Sequence, residues 1–508
     1  MYIVTAEEMY DMDNGAMNKV GLDGKLLMEN AGRAIAAVIK ERVKNTDVIR
    51  IFAGGGNNGG DGFVIGRTLL DDGYDVTVYQ VVPDEKLTGD ALYHKQRFER
   101  CGGIVSILQT SFEAGQLAGE ADAVVDAIAG IGLNGRLREP LASMTADINE
   151  KASYVFSVDI PSGLPANEGW DDFDAIQANE TIIAGYPKMS AFLERTAPYY
   201  GTWTVVSFGL PSVVTSNCSR RSVWTEEQFR HTMPKRKQYS HKGTHGKGLA
   251  AGGSAEMPGS IAMTASAALR SGAGLITAAT VRSAIPTVAS QCVEATYLAL
   301  EETDGLLTCD RPISFDHYDA VAMGMGMGRH VEGRRFIQEA LEKATTPLII
   351  DADGLYHVKA LLESLKRRWA PVILTPHLGE MAMLAGITVS ELRQRPFAYA
   401  KTFAENYGVH LVLKGPFTII TSPDGCQTVT TVGNAGLAKG GSGDVLSGVI
   451  LAMMMQDQSI MEALGNACFA HGKAADMLVS ESHSMYDLIA SDLLHEMVNV
   501  YRTCIEQS

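Results

Sequence analysis

A glycine-rich stretch near the N-terminus carries the first residues whose types and spacing indicate chemistry. "FAGGGNNGGDG" (52–62) places six glycines, two asparagines and one aspartate between an apolar segment and an amphipathic one. Gly54, Gly56 and Gly59 fit the G-x-G-x-x-G spacing of a phosphate site at a helix N-terminus, where glycine permits close approach to the backbone. The acid expected about 20 residues later is Asp84, beyond a proline, so an ordinary NAD site is poorly matched.

Oxygen-bearing side chains follow two later strand-like runs. "VVDAIAGIGLNGRLREP" supplies Asp126 and a second glycine-rich turn, and "SVDIPSG" supplies Asp159 and Ser162. Ligands of open parallel sheets bind outside the carboxyl ends of strands, so these residues should converge with the first loop. Asn58, Asp126 and Ser162 offer only hard oxygen donors, which suits a hard cation. Asp159 is a separate acid/base candidate, although any of these acids could instead cap a helix or tighten a turn.

The motif with the clearest chemistry lies near the C-terminus. "GNAGLAKGGSGDVLSGVILAMMM" (433–455) runs from a glycine-rich loop into an apolar helix, with Asp444 in its first turn. Amides at the start of a helix form an anion hole for a phosphate. An aspartate at that place can accept a proton from a substrate hydroxyl. A capping role would explain Asp444, but not five glycines in the eleven residues before it.

Three further motifs of the second half follow strands. "LKGPFTII" (413–420) predicts a phosphate contact through Lys414 and backbone amides. "TPHLGE" ends another strand with His377, a lone histidine that could equally be an ordinary surface or core residue. "MGMGMG" (323–328) could be a methionine-lined turn of the core or a place of close ligand approach, because glycine stands at alternate positions.

Strand-like runs alternate with helical spacers and position these motifs. After a helix over 24–42, the runs are 47–53, 75–82, 121–128, 153–160, 180–185 and 202–209, then 246–254, 275–280, 319–324, 347–353, 371–377 and 409–415. This alternation predicts a mostly parallel sheet with helices on both faces. The small polar stretch 210–223 suits a linker. We therefore predict two α/β domains, residues 1–219 and 220–508.

Composition excludes several classes of partner. The 508 residues carry a net charge of −16 and no long basic block, which argues against nucleic acid. The seven cysteines form no Cys-x-x-Cys pair, so neither a zinc knuckle nor a disulfide framework is indicated. The N-terminus is acidic and has no long apolar core, which argues against a signal peptide, and no apolar run approaches the roughly 20 residues of a membrane span. We expect a cytoplasmic homo-oligomer that acts on small molecules.

The motifs of the first domain resemble those of NAD(P)H-hydrate epimerases: "MENAG", "GGGNNGGDG", "DAIAGIGLNGRLREP" and "VDIPSG". The resemblance implies a Rossmann-like fold, a hydrated nicotinamide cofactor as substrate, a nearby potassium ion held by Asn58, Asp126 and Ser162, and Asp159 as the catalytic residue. "YPKMSAF" departs from the expected Lys-x-Gly-Leu, which leaves Lys188 outside the site. The residues implied to hold the hydrate are Asn57, Asn58, Gly59, Gly60, Asp61, Gly130, Ile131, Gly132, Leu133, Asn134, Gly135, Arg136 and Asp159.

From about "KGTHGKGLAAGGS" (242–254) to the C-terminus, the chain resembles NAD(P)H-hydrate dehydratases. That resemblance implies a ribokinase-like fold, ADP or ATP as co-substrate, and magnesium. Gly326, His377 and Asp444 would contact the hydrate, with Asp444 as the catalytic base. The implied nucleotide contacts are Lys414, Gly415, Pro416, Phe417, Thr418 and Gly443.

Together the two resemblances favour a bifunctional repair enzyme for hydrated NADH and NADPH. One domain would interconvert the R and S hydrates, and the other would dehydrate the S form at the expense of ADP or ATP, giving AMP or ADP and phosphate. Two alternatives stay open. The second half could be a small-molecule kinase, and the first could be a non-catalytic dinucleotide sensor or a protein-binding module. The sequence does not choose between ADP and ATP or between NADH and NADPH hydrates.

Overall fold

The computed structural model of the protein describes residues 1–108, 110–133, 135–309 and 313–506. The chain forms two compact units, Met1–Arg220 and Arg221–Ser508. Each unit buries apolar clusters made only of its own residues. The predicted boundary between 219 and 220 lies one residue before this division.

The first unit alternates strands and helices along the chain. Its elements are α1 (Ala6–Gly15), α2 (Gly24–Lys40), β1 (Val48–Ala53), α3 (Asn57–Asp71), β2 (Asp75–Gln80), α4 (Gly89–Arg100), β3 (Ile104–Ile107), α5 (Ser111–Gly119), β4 (Ala123–Ala127), α6 (Leu141–Lys151), β5 (Val155–Val158), β6 (Glu180–Ala184), α7 (Ala197–Tyr200), β7 (Thr202–Val206) and α8 (Ser212–Thr215). A single π-helical turn, Ala16–Val20, extends α1, and 3-10 turns lie at Asp84–Lys86 and Met189–Phe192.

The seven strands of the first unit form a parallel sheet in the order β3-β2-β1-β4-β5-β6-β7. Strands β4 and β5 are buried along their whole length, as expected where helices cover both faces of a parallel sheet. The strand order reverses between β1 and β4, and such a reversal opens a crevice at the carboxyl ends of the strands. The predicted Rossmann-like α/β fold is confirmed.

The second unit begins with a strand that the sequence had suggested was linker. Its elements are β8 (Arg221–Trp224), α9 (Glu226–Thr232), β9 (Lys247–Ala251), α10 (Pro258–Arg270), β10 (Leu275–Val281), α11 (Ile285–Gln291), β11 (Thr296–Leu300), β12 (Glu302–Thr303), β13 (Leu306–Leu307), β14 (Ala320–Met323), α12 (Val331–Lys343), β15 (Leu348–Ile350), α13 (Asp353–Val358), α14 (Leu362–Leu365), β16 (Val372–Leu374), α15 (Leu378–Ala385), α16 (Val389–Gln394), α17 (Pro396–Tyr407), β17 (His410–Leu413), β18 (Thr418–Thr421), β19 (Gln427–Thr430), α18 (Ser442–Met454), α19 (Ile460–Glu481) and α20 (Ala490–Tyr501). Shorter 3-10 turns lie at Lys242–His245, Arg282–Ala284, Lys359–Leu361 and Ala435–Leu437, and a π-helical turn spans Arg502–Glu506.

The large sheet of this unit runs in the order β11-β10-β9-β14-β15-β16-β17-β18-β19-β8. It is parallel except where β18 pairs antiparallel with β17 and with β19, and β12 and β13 form a separate hairpin. The stretch 210–223, expected to be a linker, contains the division between the two units, but it also contains α8 and the start of β8, which pairs with β19. The strand order reverses between β9 and β14, so a second crevice is expected at that edge.

Helix α18 lies at the centre of the second core, because its apolar residues from Val445 to Met453 are buried. It approaches α10 so closely that a Cβ on Gly448 would lie 2.2 Å from the backbone oxygen of Thr264. The Thr264 hydroxyl also donates to the backbone oxygen of Asp444 at 3.0 Å. These contacts fix the first turn of α18. Within the described residues, no helix is both long and apolar enough to cross a membrane.

Candidate active sites

The first glycine-rich stretch closes a tight junction between the ends of β1 and β4. A Cβ on Gly54 would lie 1.9 Å from the carbonyl oxygen of Ile128, and a Cβ on Gly59 would lie 1.9 Å from the carbonyl oxygen of Gly54. Helix α3 already begins at Asn57, so Asn57–Asp61 is its first turn rather than a loop before it. The first amides of a helix lack intrahelical partners, which makes this turn suitable for an anion.

Asp126 and Ser162 meet at the ends of β4 and β5. The Ser162 hydroxyl donates to Asp126 Oδ1 at 2.5 Å, and its backbone amide donates to Oδ2 at 2.9 Å. Burial raises the pKa of Asp126, although the bonds from Ser162 and Ser157 oppose the rise. Asn58 lies against Gly130 in the loop that follows β4, and its buried Nδ2 has no hydrogen-bond partner among the described residues. The three predicted cation ligands thus belong to adjoining strand ends.

Lys188 belongs to the first site, and the expectation that it lies outside is wrong. Its ammonium lies 2.5 Å from Asp159 Oδ1 and 2.9 Å from the carbonyl oxygen of Tyr186, with its side chain almost fully buried. The amide of Ala184 also donates to Asp159 Oδ1, at 3.1 Å. The backbone at Lys188 is held beside Asp159 by a parallel β-bridge with Val4, in which the Val4 amide donates to the carbonyl oxygen of Pro187 and the Met189 amide donates to that of Val4.

Asp159 has a left-handed backbone, with φ of +65°. Non-glycine residues seldom adopt this conformation, and aspartate and asparagine do so most readily. Backbone strain of this kind is common at functional sites, where the surroundings enforce it. The turn after β5 therefore holds the Asp159 carboxylate against Lys188 at a local conformational cost.

Two more carboxyl groups interact with Asp159. Burial raises the pKa of Asp13, on α1, to about 6, and the charge of Asp159 adds to the rise while Lys188 opposes it. The pKa of Asp61, in the first turn of α3, is raised well above its usual value by burial and by the charges of Asp159 and Asp13. Asp159 and Asp13 thus share one buried ammonium while the charges of both act on Asp61, which favours a protonated acid beside an ionised one.

The loop after β4 carries the second set of predicted hydrate ligands. The hydroxyl of Tyr10 lies within 2.6 Å of the place that a Cβ on Gly132 would occupy, so α1 lies against this loop. Ile131 packs on the apolar cluster that includes Met9 and Met12 of α1. Leu133 is described but Asn134 lies outside the described residues, so its predicted contact has no structural account.

Arg136 is not free for a phosphate. Its guanidinium lies 2.8 Å from Asp174 and 3.1 Å from Asp172, and both pairs are largely exposed to solvent. A phosphate would therefore have to displace these carboxylates. Gly135, beside it, has a φ of +87° and lies near Trp170.

A cavity of about 920 Å³ opens in the second unit where the glycine-rich loop meets α18. That volume is at the upper end of the range typical of small-molecule sites, and it suffices for a nucleotide. Of the predicted site residues, those that line it are His377, Lys414, Gly415, Pro416, Thr418, Gly443 and Asp444. Of the site residues predicted for the second unit, Phe417 and Gly326 are outside this lining.

Lys414 stands at the end of β17 and faces the start of α18. Its ammonium would lie 3.3 Å from a Cβ on Gly443 and is 2.9 Å from Asp351 Oδ1. Burial alone would lower the pKa of Lys414, but the charges of Asp351 and Glu380 outweigh burial and raise it. A positive charge and free helix amides therefore meet at one end of the cavity, which forms a phosphate-binding arrangement.

Asp444 lies in the first turn of α18, after Gly441 in the left-handed conformation. Its pKa is raised to about 6, by burial and then by the charge of Asp351, while a hydrogen bond from Ser260 opposes the rise. Gly326 is near the same serine, since a Cβ on Gly326 would lie 3.0 Å from the Cβ of Ser260. The two predicted hydrate contacts thus share a neighbour.

His377 caps helix α15. Its Nδ1 accepts hydrogen bonds from the amides of Gly379 and Glu380 at 3.0 and 3.2 Å, and its own amide donates to the Glu380 carboxylate at 2.9 Å. The side chain is 60% exposed. Because Nδ1 must accept, Nε2 is the ring nitrogen that can donate to a ligand in the cavity.

No group of three or more histidine, cysteine, aspartate or glutamate side chains is arranged as a metal site in the part of the chain that the structure describes. The predicted potassium ligands include an asparagine and a serine, so this observation does not bear on them. A magnesium ion in the cavity would have to rely largely on the phosphates of a nucleotide, which is its usual mode of binding.

Comparisons with known proteins cover both units. A family model described as NAD(P)H-hydrate dehydratase matches residues 249–498, and one described as YjeF-related protein N-terminus matches residues 24–190. The bifunctional NAD(P)H-hydrate repair enzyme of Moorella thermoacetica is 34% identical over 100% of this chain and 98% of its own length. The chain belongs to the family of bifunctional NAD(P)H-hydrate repair enzymes. The resemblance drawn from the motifs is therefore confirmed.

Other members of the repair-enzyme family match as completely. The bifunctional NAD(P)H-hydrate repair enzyme of Escherichia coli is 31% identical, over 97% of this chain and 93% of its own length. Among solved structures, a ribokinase-like superfamily protein from Enterococcus faecalis shows the fold of the second unit. It has a TM-score of 0.50 and 23% identity, and it covers 57% of this chain and 98% of its own. An ADP/ATP-dependent NAD(P)H-hydrate dehydratase from Bacillus subtilis, co-crystallised with ATP and magnesium, is 35% identical over 56% of this chain and 98% of its own, with a TM-score of 0.49.

Sequence reasoning missed Asp351, Glu380 and the role of Lys188. Asp351 stands at the carboxyl end of a buried strand in "PLIIDAD", and that position alone could have marked it as a site residue. Glu380 follows His377 by three residues, which is the spacing of a capping box. Lys188 gave no comparable signal, because its partner Asp159 comes from a different strand.

Proposed function

We propose that this protein repairs hydrated NADH and NADPH through two activities on one chain. The first unit would interconvert the R and S hydrates, and the second would convert the S hydrate back to the reduced cofactor with ADP or ATP. The observation that carries the proposal is the full-length match to bifunctional repair enzymes, joined to a nucleotide-sized cavity that holds an ammonium, helix amides and a carboxyl group at one end. Addition of water to the nicotinamide ring creates a stereocentre, so the fusion would let one protein drain both hydrates.

For the epimerase, Asp159 is the proposed catalytic residue. Inverting the carbon that bears the hydroxyl needs a proton for the departing oxygen and a base when water returns. The carboxylate of Asp159, held by Lys188, would exchange these protons, and the raised pKa of Asp61 supports a second, protonated acid beside it. The first turn of α3 and the loop after β4, residues 57–61 and 130–136, would bind the hydrate.

For the dehydratase, Asp444 is the proposed base. It would take the proton of the ring hydroxyl while that oxygen attacks the terminal phosphorus of ADP or ATP. The product nucleotide, AMP or ADP, leaves. Phosphate is then expelled from the ring carbon, a proton is lost from the neighbouring ring carbon to the departing phosphate or to water, and the ring double bond of the reduced cofactor is restored. Lys414 and the Gly443 amide would hold the transferred phosphate, with residues 415–418 beside the nucleotide. Gly326 and His377 would contact the hydrate.

Potassium fits the first unit because Asn58, Asp126 and Ser162 supply amide, carboxylate and hydroxyl oxygens at adjoining strand ends. A cation there would also compensate the buried charge of Asp126, whose pKa is raised by burial. Exchange of potassium for tetramethylammonium should lower the thermal stability of the wild-type first unit. An Asp126→Asn variant should show no such difference.

Magnesium fits the second unit, where Glu380 lines the cavity and is the carboxylate proposed to hold it. The amide of His377 donates to Oε2 of Glu380, and Oε1, which lies 3.5 Å from His377 Nε2, is the oxygen proposed for the ion. When bound, magnesium neutralises phosphate charge.

A direct experiment separates this proposal from a kinase. Purified R and S hydrates are incubated with the protein and ADP or ATP, and recovery of reduced-nicotinamide absorbance is followed with release of phosphate. The proposal predicts recovery from both hydrates with stoichiometric phosphate. A stable phosphorylated product without recovery would instead identify the second unit as a kinase.

Assembly and location remain predictions. The expected homo-oligomer is tested by light scattering of the purified protein. The expected cytoplasmic location is tested by fractionation of cells.

A further inference from the structure

A buried carboxylate joins three elements beneath the dehydratase cavity. Asp351, at the end of β15, is 1% exposed. Its Oδ1 accepts from the ammonium of Lys414 at 2.9 Å, and its Oδ2 accepts from the hydroxyl of Ser447 at 2.7 Å. Ser447 lies on α18 one turn after Gly443 and is fully buried. The carboxylate therefore connects the end of β17 to the helix whose first amides form the anion hole.

The carboxylate is held firmly in this position. Burial by itself would raise the pKa of Asp351, but the charge of Lys414 and hydrogen bonds from Ser447, Lys414 and Thr375 outweigh burial and keep the pKa below its ordinary value. The neighbouring Ala352 has a φ of +51°, a strained conformation for alanine. The backbone therefore accepts a local cost to turn this loop at the carboxyl end of the strand.

We propose that Asp351 is a positioning residue that fixes the Lys414 ammonium over the N-terminus of α18. Lysine is a point charge on a flexible stem, so it does not choose one phosphate geometry by itself. Lys414 Nζ donates a hydrogen bond to Asp351, and Asp351 accepts another from Ser447. These two hydrogen bonds fix the distance between the ammonium and the Gly443 amide. This inference rests on the proposed dehydratase function and deepens it, because it names what presets the phosphate site.

The same carboxylate influences Asp444. The charged groups that act on Asp444 are Asp351 at the end of β15, Lys414 at the end of β17 and Asp353 on α13. Lys414 is in turn faced by Asp351, Glu380 and Asp444. Removing the charge of Asp351 should therefore make Asp444 a weaker base that ionises at lower pH. A purely structural role for Asp351 predicts no such change.

The test compares Asp351→Asn with Ser447→Ala and with Asp353→Asn. Asp353 is a matched control, because it is an acid two residues away that accepts from Gly328 and Arg329 rather than from Lys414. Calorimetry measures the Kd of ADP for each full-length protein, and kcat for the S hydrate is measured against pH. Folding of each variant is checked by its thermal transition.

We expect Asp351→Asn to raise the ADP Kd about tenfold or more, the effect of one charge-assisted contact. The acidic limb of its pH profile, where kcat falls as the pH drops, should move to lower pH. Ser447→Ala should raise the Kd at least about threefold with an unmoved limb, since it keeps the charges. Asp353→Asn should leave the Kd unchanged and move the limb less than Asp351→Asn does.

A folded Asp351→Asn protein with wild-type Kd and an unmoved limb would overturn the inference. If that variant does not fold, Ser447→Ala decides, and a Kd within twofold of wild type overturns it. Wild-type protein that binds neither ADP nor ATP also overturns it. Wild-type protein that binds ADP but does not dehydrate the S hydrate refutes the proposed function alone, because the Kd comparison still stands.

Discussion

Asp444 stands where α18 begins, in the wall of a cavity of about 920 Å³, and its pKa is raised to about 6 by burial and by Asp351. A general base acts only when it is deprotonated. Dehydration of the S hydrate should therefore fall as the pH drops through about 6, reaching about a tenth of its plateau one pH unit below the pKa. Initial rates with saturating nucleotide across this range give the profile.

Substitution separates the charge of Asp444 from its place in the helix. Asp444→Asn keeps the size of the side chain and some capping ability. We expect a folded protein that still binds nucleotide and still epimerises, with dehydration reduced roughly 10²–10⁴-fold. A rate within about threefold of wild type, which is far below the effect of losing a base, would show that Asp444 is structural.

The pair Lys188–Asp159 gives a second prediction at this scale. Lys188→Met strands the Asp159 carboxylate, and breaking a buried ion pair from one side costs about 3–5 kcal/mol. Asp159→Asn/Lys188→Met should regain most of that stability, because no charge is left unpaired, but it should not epimerise. Hydrogen–deuterium exchange of peptides from β5 and β6 measures both variants. Equal loss of protection in the single and double variants would refute the pairing.

At the scale of elements, glycine decides how α3 begins. Helix propensity alone would favour alanine over glycine at position 59 by about 1 kcal/mol. A Cβ there would meet the backbone oxygen of Gly54 at 1.9 Å, so we expect Gly59→Ala to destabilise the first unit by about 3 kcal/mol. Gly56→Ala is the matched control, since nothing lies within 4 Å of its added Cβ. It should cost below about 1 kcal/mol, as a changed N-cap. Protection of α3 from hydrogen–deuterium exchange is compared between the Gly59→Ala and Gly56→Ala variants. A stabilised Gly59→Ala protein would contradict this packing.

The sequence predicted the elements that local pattern determines. Buried apolar runs located the strands that carry Asp126, Asp159 and Lys414, and the loop at 433–443 located the start of α18. Strands outside the local pattern were missed. β8 is short, and it pairs with β19 some 206 residues away, as the contact of Ser222 with Thr428 shows. The antiparallel turn at β18 was also missed, because a regular alternation of strand and helix does not predict it.

The same limit applies to the site. Asp126, at the carboxyl end of β4, and Asp444, in the first turn of α18, were predictable because their chemistry is visible in the local sequence. The contacts of Lys188 with Asp159 and of Asp351 with Lys414, at 2.5 and 2.9 Å, were not predictable, because only the fold brings each pair together. In "MGMGMG" the burial of Met325 agrees with a methionine-lined turn of the core, while close ligand approach at Gly326, which has a positive φ, stays a prediction.

At the scale of the whole molecule, the two units bury separate apolar clusters, and each carries its own proposed site. A change in the first unit should therefore leave the second active. Asp159→Asn is the informative variant because asparagine tolerates the left-handed backbone at φ +65°, whereas alanine would add strain. It removes the proposed acid/base group with little change in shape.

The central claim is that one chain epimerises and dehydrates through different units. The measurement is recovery of reduced cofactor from an equal mixture of R and S hydrates with excess nucleotide. Wild type should convert both hydrates fully. Asp159→Asn should convert the S half at the wild-type rate and the R half only as fast as it epimerises spontaneously. Equal loss of turnover for both hydrates in this variant, or wild-type conversion that stops at half, would contradict the account.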